Sequence, residues 1–330
     1  MKTGLTTEIW PASEAATALA ARCLREGGLV AFPTETVYGL GADAANAAAI
    51  LRLYQAKGRP AFNPLIAHVG DFEAAMRIGR FGPQASALAK AFWPGPLTLV
   101  VPKTADCAVA ELATAGLDTV AIRVPAHPIA RAILRAFGGA VVAPSANLSG
   151  HVSPTTAEHV RHDLEGRIDL IVDGGPVEVG VESTIVGCFE TPMLLRPGGL
   201  PREAIERVLG CRLERPQAEA ESDSGQPLAP GMLASHYAPR TKVRLNAGHV
   251  EPGEALLAFG GARLAGAEKA AAAMNLSPQG DLDEAATNLF GYLRALDARA
   301  ARAIAVMPIP DTGLGEAIND RLRRAAVGRE

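Results

Sequence analysis

Residues 29–32, Leu-Val-Ala-Phe, form an unbroken apolar run between the turn pair Gly27-Gly28 and Pro33, which reads as a short buried strand. Pro33 has no N–H to donate and is expected to stop the pairing there. The polar run Thr34-Glu35-Thr36 then stands at the open end of the strand, and Gly39 and Gly41 allow close backbone approach. Ligands of open α/β sheets sit beyond the carboxyl ends of strands, so this stretch is a candidate binding loop. Threonine hydroxyls capping their own turn would leave the same pattern. Upstream, Ser13 is placed to cap a helix over 13–26, with Ala16, Leu19, Ala20, Cys23 and Leu24 on one side. Downstream, residues 46–57 show helical spacing with Ile50, Leu53 and Tyr54 inward.

The alternation continues along the chain. Strands are expected at 65–69, 97–101, 120–124, 140–143, 170–172, 184–186 and 194–196, and helices at 72–78, 84–92, 129–137, 156–164 and 202–209. This is an α/β pattern, with a mixed sheet because several strands follow one another closely. Residues 214–231 turn polar, acidic and rich in Pro and Gly, as a linker does. A second α/β pattern follows, with strands at 243–245, 256–259 and 304–306 and helices at 282–297 and 314–326. The expected division is 1–211, a linker over 212–240 that acts as a lid, and 241–330.

A length of 330 residues suits two cores. Hydrophobic residues at 48% and charged ones at 20% are ordinary for a soluble enzyme. A net charge of −3 argues against a strongly basic nucleic-acid surface, leaving room only for a local patch. Arg outnumbers Lys 26 to 6, so a lysine in a motif carries more information than an arginine. The four cysteines form no CxxC pair, which suits a reducing compartment and argues against a cysteine-based zinc site. No apolar run reaches ~18 residues and no signal-peptide layout opens the chain, so a cytoplasmic location without membrane contact is expected.

Three clusters can carry chemistry. In Lys57-Gly58-Arg59-Pro60, followed by Asn63-Pro64-Leu65 and His68, two cations flank a helix end. Arg forks onto two oxygens and Lys adds a compact charge, a pair suited to polyphosphate, although both would also answer a helix dipole. Pro144-Ser145-Ala146-Asn147-Leu148-Ser149-Gly150 with Ser153 offers hydroxyls, an amide and N–H groups to an anion, or is a solvent turn. Val181-Glu182-Ser183-Thr184-Ile185-Val186 puts Ser183 at a strand start, and Arg123 and Arg196 each end a strand before a proline. There is no GxxxxGK[ST], GxSxG or HExxH, and His159 and His162 read as a solvated helix face rather than a metal site.

Together FPTETVYGLG, KGRP with NPL and a His, WPGPLT, AIRVP, APSANLSG, ESTIV and LRPG, in that order, resemble the threonylcarbamoyl-adenylate synthase family over roughly residues 10–210. Ala229–Met232, His236–Pro239 and Gly313–Arg321 resemble the linker and accessory domain of its longer members. The resemblance implies a YrdC-like mixed twisted sheet with a ligand cleft, plus a smaller Rossmann-like α/β domain. It implies a nucleotidyltransferase that makes threonylcarbamoyl-adenylate and pyrophosphate from L-threonine, bicarbonate and ATP. Mg²⁺ would sit on the leaving group, and a tRNA threonylcarbamoyl transferase complex would act downstream. By that likeness Thr36, His68, Arg123, Ala143 and Ser183 would contact threonine, and Arg59, Asn63, Thr119, Ser145, Ser153, Arg196 and Tyr237 would contact ATP. Lys57 and Arg59 would be catalytic, and no protein-built metal site is expected. One departure stands out: Gly187-Cys188 follows Val186, where the family usually carries an acid. Two other readings are a double-stranded-RNA- or tRNA-binding module without chemistry, marked by steep salt dependence, and a carbamoyl-adenylating enzyme indifferent to threonine.

Overall fold

In the computed structural model, which describes residues 5–215 and 237–327, the apolar run near residue 30 becomes one arm of a hairpin. Strands β1 (Glu8–Pro11), β2 (Val30–Pro33), β3 (Tyr38–Asp43), β4 (Ile66–His68), β5 (Leu97–Pro102), β6 (Thr119–Arg123) and β7 (Val141–Val142) are joined by β8 (Leu170–Asp173), β9 (Thr184–Cys188) and β10 (Pro192–Arg196). They form one mixed sheet in the order β1-β8-β2-β3-β7-β4-β6-β5-β9-β10. Pairing ends at Pro33 as expected: it is the last residue of β2, opposite Tyr38. Strand β3 was hidden because glycines occupy it. A Cβ at Gly41 would sit 2.7 Å from the Phe32 ring and 3.0 Å from Val141, so the hairpin needs the bare backbone there.

The helices agree closely with the spacing. Ser13 Oγ accepts from Ala16 N at the start of α1 (Glu14–Arg25), and Asn46 caps α2 (Ala47–Lys57), which Gly58 ends. Helices α3 (Phe72–Ile78) and α4 (Pro83–Phe92), the short α5 (Glu111–Thr114), α6 (Pro128–Phe137), α7 (Ala157–Leu164) and α8 (Arg202–Leu209) complete this part. The main core lies between the sheet and its helices, from Leu29, Leu40 and Leu53 to Leu99, Ile122 and Val186.

The second sheet is wholly parallel, in the order β11 (Lys242–Arg244), β14 (Ala303–Val306), β12 (Ala255–Ala258), β13 (Ala273–Asn275). Helices α9 (Leu282–Asp297) and α10 (Leu314–Ala326) accompany it. This α/β unit does not hang free. Its core of Leu289, Phe290, Leu293 and Ile318 also takes in Val37, Val152 and Val181 from the first unit. Thr287 Oγ1 donates to Glu178 O at 2.6 Å, and Arg294 Nη2 lies 2.9 Å from Asp163 Oδ2. Most of the expected linker, 216–236, lies outside the described residues, and with it a lid reading for that segment. No described helix is long and apolar enough to cross a membrane.

Candidate functional site

The hairpin turn between β2 and β3 settles what its two threonines do. Thr34 Oγ1 donates to Val37 O at 2.7 Å and accepts from Val37 N at 3.2 Å, capping its own turn. Thr36 is fully buried, and its hydroxyl accepts from Arg123 Nη1 at 2.9 Å. Arg123 and His68 are register partners at the ends of the parallel strands β6 and β4, so both side chains leave the same face of the sheet. Ser183, just before β9, shares a 2.8 Å hydrogen bond with Thr98. Arg196 closes β10 and donates to Ser183 O from Nη2 at 2.9 Å.

Thr36, His68, Arg123, Ser183 and Arg196 line one narrow cleft of about 50 Å³, together with Val37, Arg59, Leu65, Ile66, Ala143, Pro144, Ser145, Glu182 and Tyr237. Nine of the expected site residues therefore come together: Thr36, Arg59, His68, Arg123, Ala143, Ser145, Ser183, Arg196 and Tyr237. Lys57, Asn63, Thr119 and Ser153 are not on its wall. Lys57 is buried behind the 144–150 loop, and its ammonium donates to Ser145 O at 2.6 Å and Asn147 O at 2.5 Å. It shapes the loop rather than facing the cleft. Asn63 lies next to Arg59, whose Nη2 donates to Pro64 O at 3.1 Å. Thr119 stands at the start of β6, four residues from Arg123 and so ~13 Å away along the strand. Ser153 is one step behind the wall, with Oγ 2.5 Å from Glu182 Oε1.

The cleft is strongly cationic, with Arg59, Arg123 and Arg196 against one lining carboxylate. Burial brings Arg59 down to about 10, still charged at neutral pH. Burial, then the neighbouring Arg123, pushes His68 down to about 3, so the imidazole is neutral there. Burial raises Glu35, but the Arg123 guanidinium at 2.6 Å outweighs it and holds the carboxyl below its ordinary range. Arg59 Nε and Asn63 Oδ1 are buried without a hydrogen-bond partner among the described residues. Buried polar atoms are rarely left so, and a donor beside an acceptor suits a polar ligand such as a nucleotide.

Sequence reasoning missed three groups. Glu35 sits in the quoted motif, yet nothing in the sequence pairs it with Arg123, 88 residues away. Glu182 precedes Ser183, but an acid was not expected on a polyphosphate wall. Arg321, on α10, is fully buried and donates to Glu182 Oε2 from Nε at 2.8 Å; it closes the quoted 313–321 stretch, but nothing there ties it to the cleft. The missing acid after Val186 has a packing counterpart, because a Cβ at Gly187 would lie 2.4 Å from the Phe189 ring. Among the described residues no three metal-ligating side chains gather. A broader hollow lined by Arg25, Asp43, Arg77 and Asp106 has only exposed or half-buried polar walls, unlike the cleft.

Comparison with known proteins gives the family. Residues 22–198 match the family model of the Sua5, YciO and YrdC proteins, described as telomere recombination, and residues 200–327 match the model described as the threonylcarbamoyl-AMP synthase C-terminal domain. The threonylcarbamoyl-AMP synthase of Bacillus subtilis is 45% identical over 94% of this chain and 93% of its own. That of Pyrococcus abyssi is 45% identical over 93% of each. The crystal structure of P. abyssi Sua5 complexed with L-threonine superposes with a TM-score of 0.86 at 40% identity, covering 98% of this chain and 97% of that one. The chain belongs to the threonylcarbamoyl-AMP synthase family.

Proposed function

We propose that this chain joins L-threonine, bicarbonate and ATP into threonylcarbamoyl-adenylate, releasing pyrophosphate. What carries the reading is the convergence, on one narrow cleft, of a set suited to a small zwitterion and a set suited to phosphates. Thr36, His68, Arg123, Ala143 and Ser183 form the first set; Arg59, Ser145, Arg196 and Tyr237 belong to the second. Asn63, Thr119 and Ser153 complete the ATP side by family likeness.

The chemistry asks little of any protein nucleophile. The threonine amine combines with bicarbonate to give a carbamate, with loss of water. A carbamate oxygen then attacks the α-phosphorus, and the bond to pyrophosphate breaks. Two anions must meet, so fixed cations that neutralise phosphate oxygens do most of the work. Arg59 and Arg196 are those cations. Arg123 answers the threonine carboxylate. Neutral His68 carries a proton on one ring nitrogen only, so the other can accept from the amine or hydroxyl. Lys57 acts through the 144–150 loop that it holds in shape.

The donor set does not form a magnesium cage, since Glu182 is already committed to Ser153 and Arg321. Mg²⁺ would arrive on the nucleotide's own phosphates, and no step is routed through it. The product, an acyl-adenylate, is delivered to a tRNA-modifying transferase in the cytoplasm, with tRNA contact weak or indirect. A bare RNA-binding surface fits less well, because duplex recognition uses exposed cations, whereas Arg123 and Arg196 are buried.

The test is pyrophosphate release by the full chain with ATP and Mg²⁺. Release should require both L-threonine and bicarbonate. Equal release without threonine would favour the carbamoyl-adenylating alternative and overturn the assignment.

A further inference from the structure

Glu182 poses an electrostatic problem that Arg196 of the first sheet only partly answers. It is a buried carboxylate on the wall of a cleft meant for a polyanion, where a like charge disfavours binding. Its solution comes from the other unit of the chain. Arg321, in the middle of α10, reaches across and donates to Glu182 Oε2 at 2.8 Å and to Pro197 O at 2.9 Å. Its guanidinium carbon lies 5.2 Å from the Tyr237 ring centroid, within cation–π range. Glu182 Oε1 in turn accepts from Ser153 Oγ. The same guanidinium also pairs with Asp320 Oδ2 at 2.7 Å from Nη1, so it touches or governs Glu182, Asp320, Ser153, Pro197 beside Arg196, and Tyr237. Phe290 of α9 stacks on the other part of the same tyrosine at 5.5 Å. Tyr237 has φ +61°, a conformation costly for an aromatic residue, and these contacts pack against it.

A buried ion pair is weak evidence for stability, since desolvation offsets much of the attraction. Simple docking of two units would be served by the partly exposed pair Arg202–Glu316, which also spans them. The Arg321–Glu182 pair differs in placing its charge on the cleft wall and its plane against the tyrosine that lines it.

We propose that Arg321 is a positioning residue for the ATP side of the cleft. It neutralises Glu182, through Glu182 it aims the Ser153 hydroxyl, and it backs the Tyr237 ring, so that the C-terminal unit completes the nucleotide site. The proposal rests on the synthase reading for the identity of the ligand, and its primary readout is ATP binding, which needs no turnover.

The experiment measures Kd for ATP and, separately, for L-threonine by calorimetry on the full chain. It compares wild type, Arg321→Lys, Arg321→Gln, Glu182→Gln, the double variant Arg321→Gln/Glu182→Gln, and Arg202→Gln as a docking control. Arg321→Gln should weaken ATP at least ~10-fold while leaving threonine within about 3-fold. Glu182→Gln should restore part of that loss, a non-additive cycle. Arg202→Gln should lower Tm without changing either Kd. Arg321→Lys keeps a charge but loses the fork, and should show the same selective ATP loss more mildly. It decides the matter if Arg321→Gln does not fold. Unchanged ATP affinity in Arg321→Lys and Arg321→Gln, or additive losses in the cycle, would overturn the proposal, as would parallel losses of ATP and threonine tracking Tm. If wild type binds ATP but makes no threonine-dependent pyrophosphate, the synthase reading fails, and the binding cycle still decides the role of Arg321.

Discussion

Arg123 commits one arm to Glu35 at 2.6 Å and another to Thr36 at 2.9 Å, while Nε reaches Gly95 O at 3.3 Å. Glu35 also accepts from Ala126 N at 3.0 Å, so the pair fixes the hairpin turn against the end of β6. Removing one partner of such a pair leaves an uncompensated buried charge, and Arg123→Met should cost about 3–5 kcal/mol of stability. Adding Glu35→Gln should recover most of that stability, in a urea titration, without restoring threonine binding. Recovery of both would mean that Arg123 serves only the fold. His68 gives a pH signature. Its pKa is about 3 in the folded protein against the ordinary 6.5, so the unfolded chain binds the proton first. Stability is therefore full above about 6.5 and falls as pH drops towards 3. His159, down to about 4 through burial, adds in the same direction. His68→Asn should flatten the fall near pH 5 by up to about 1.4 kcal/mol per pH unit; an unaltered slope would contradict a buried neutral imidazole.

At the scale of elements, the end of α2 and the loop after β7 are joined at Lys57. Its ammonium holds two loop carbonyls, and Ser149 N donates back to Lys57 O at 2.8 Å. Lys57→Met would strand those carbonyls, and about 1–3 kcal/mol of stability should go with them. Amide exchange should quicken at Ala146 and Ser149. Unchanged exchange with lost turnover would instead return Lys57 to a direct role on phosphate. The sequence made the helices legible because caps are local: Ser13, Asn46 and Thr156 each bond within three residues. Strand β3 was not legible, since its glycines are explained by Phe32 and Val141 across the sheet. Strands β1 and β13 are short and largely polar-facing or exposed, so no alternation marks them. The cleft was legible where a motif and a strand end coincide, as at Thr36, His68, Arg123 and Ser183. It was opaque where the partner is remote, because Lys57 looks the same on a phosphate as on a carbonyl and Arg321 finds Glu182 139 residues away.

Across the whole molecule, two sheets share one apolar seam and several charged contacts, so they should melt together. Phe290 is the test of that seam, being fully buried, in the core that both units share, and stacked on Tyr237. Phe290→Ala should cost about 3–5 kcal/mol and weaken ATP binding although it lies outside the cleft; two separate calorimetric transitions in wild type would contradict a shared core. The polar linker therefore is not the sole connection between the units, since direct packing already joins them. Whether the cleft joins threonine, a one-carbon acid and adenylate is decided by the mass of the product. Incubation with ATP, Mg²⁺, L-threonine and ¹³C-bicarbonate should yield an adenylate that contains threonine and is one mass unit heavier than with unlabelled bicarbonate. An adenylate with no ¹³C, or one formed without threonine, would mean that the cleft does not make this product.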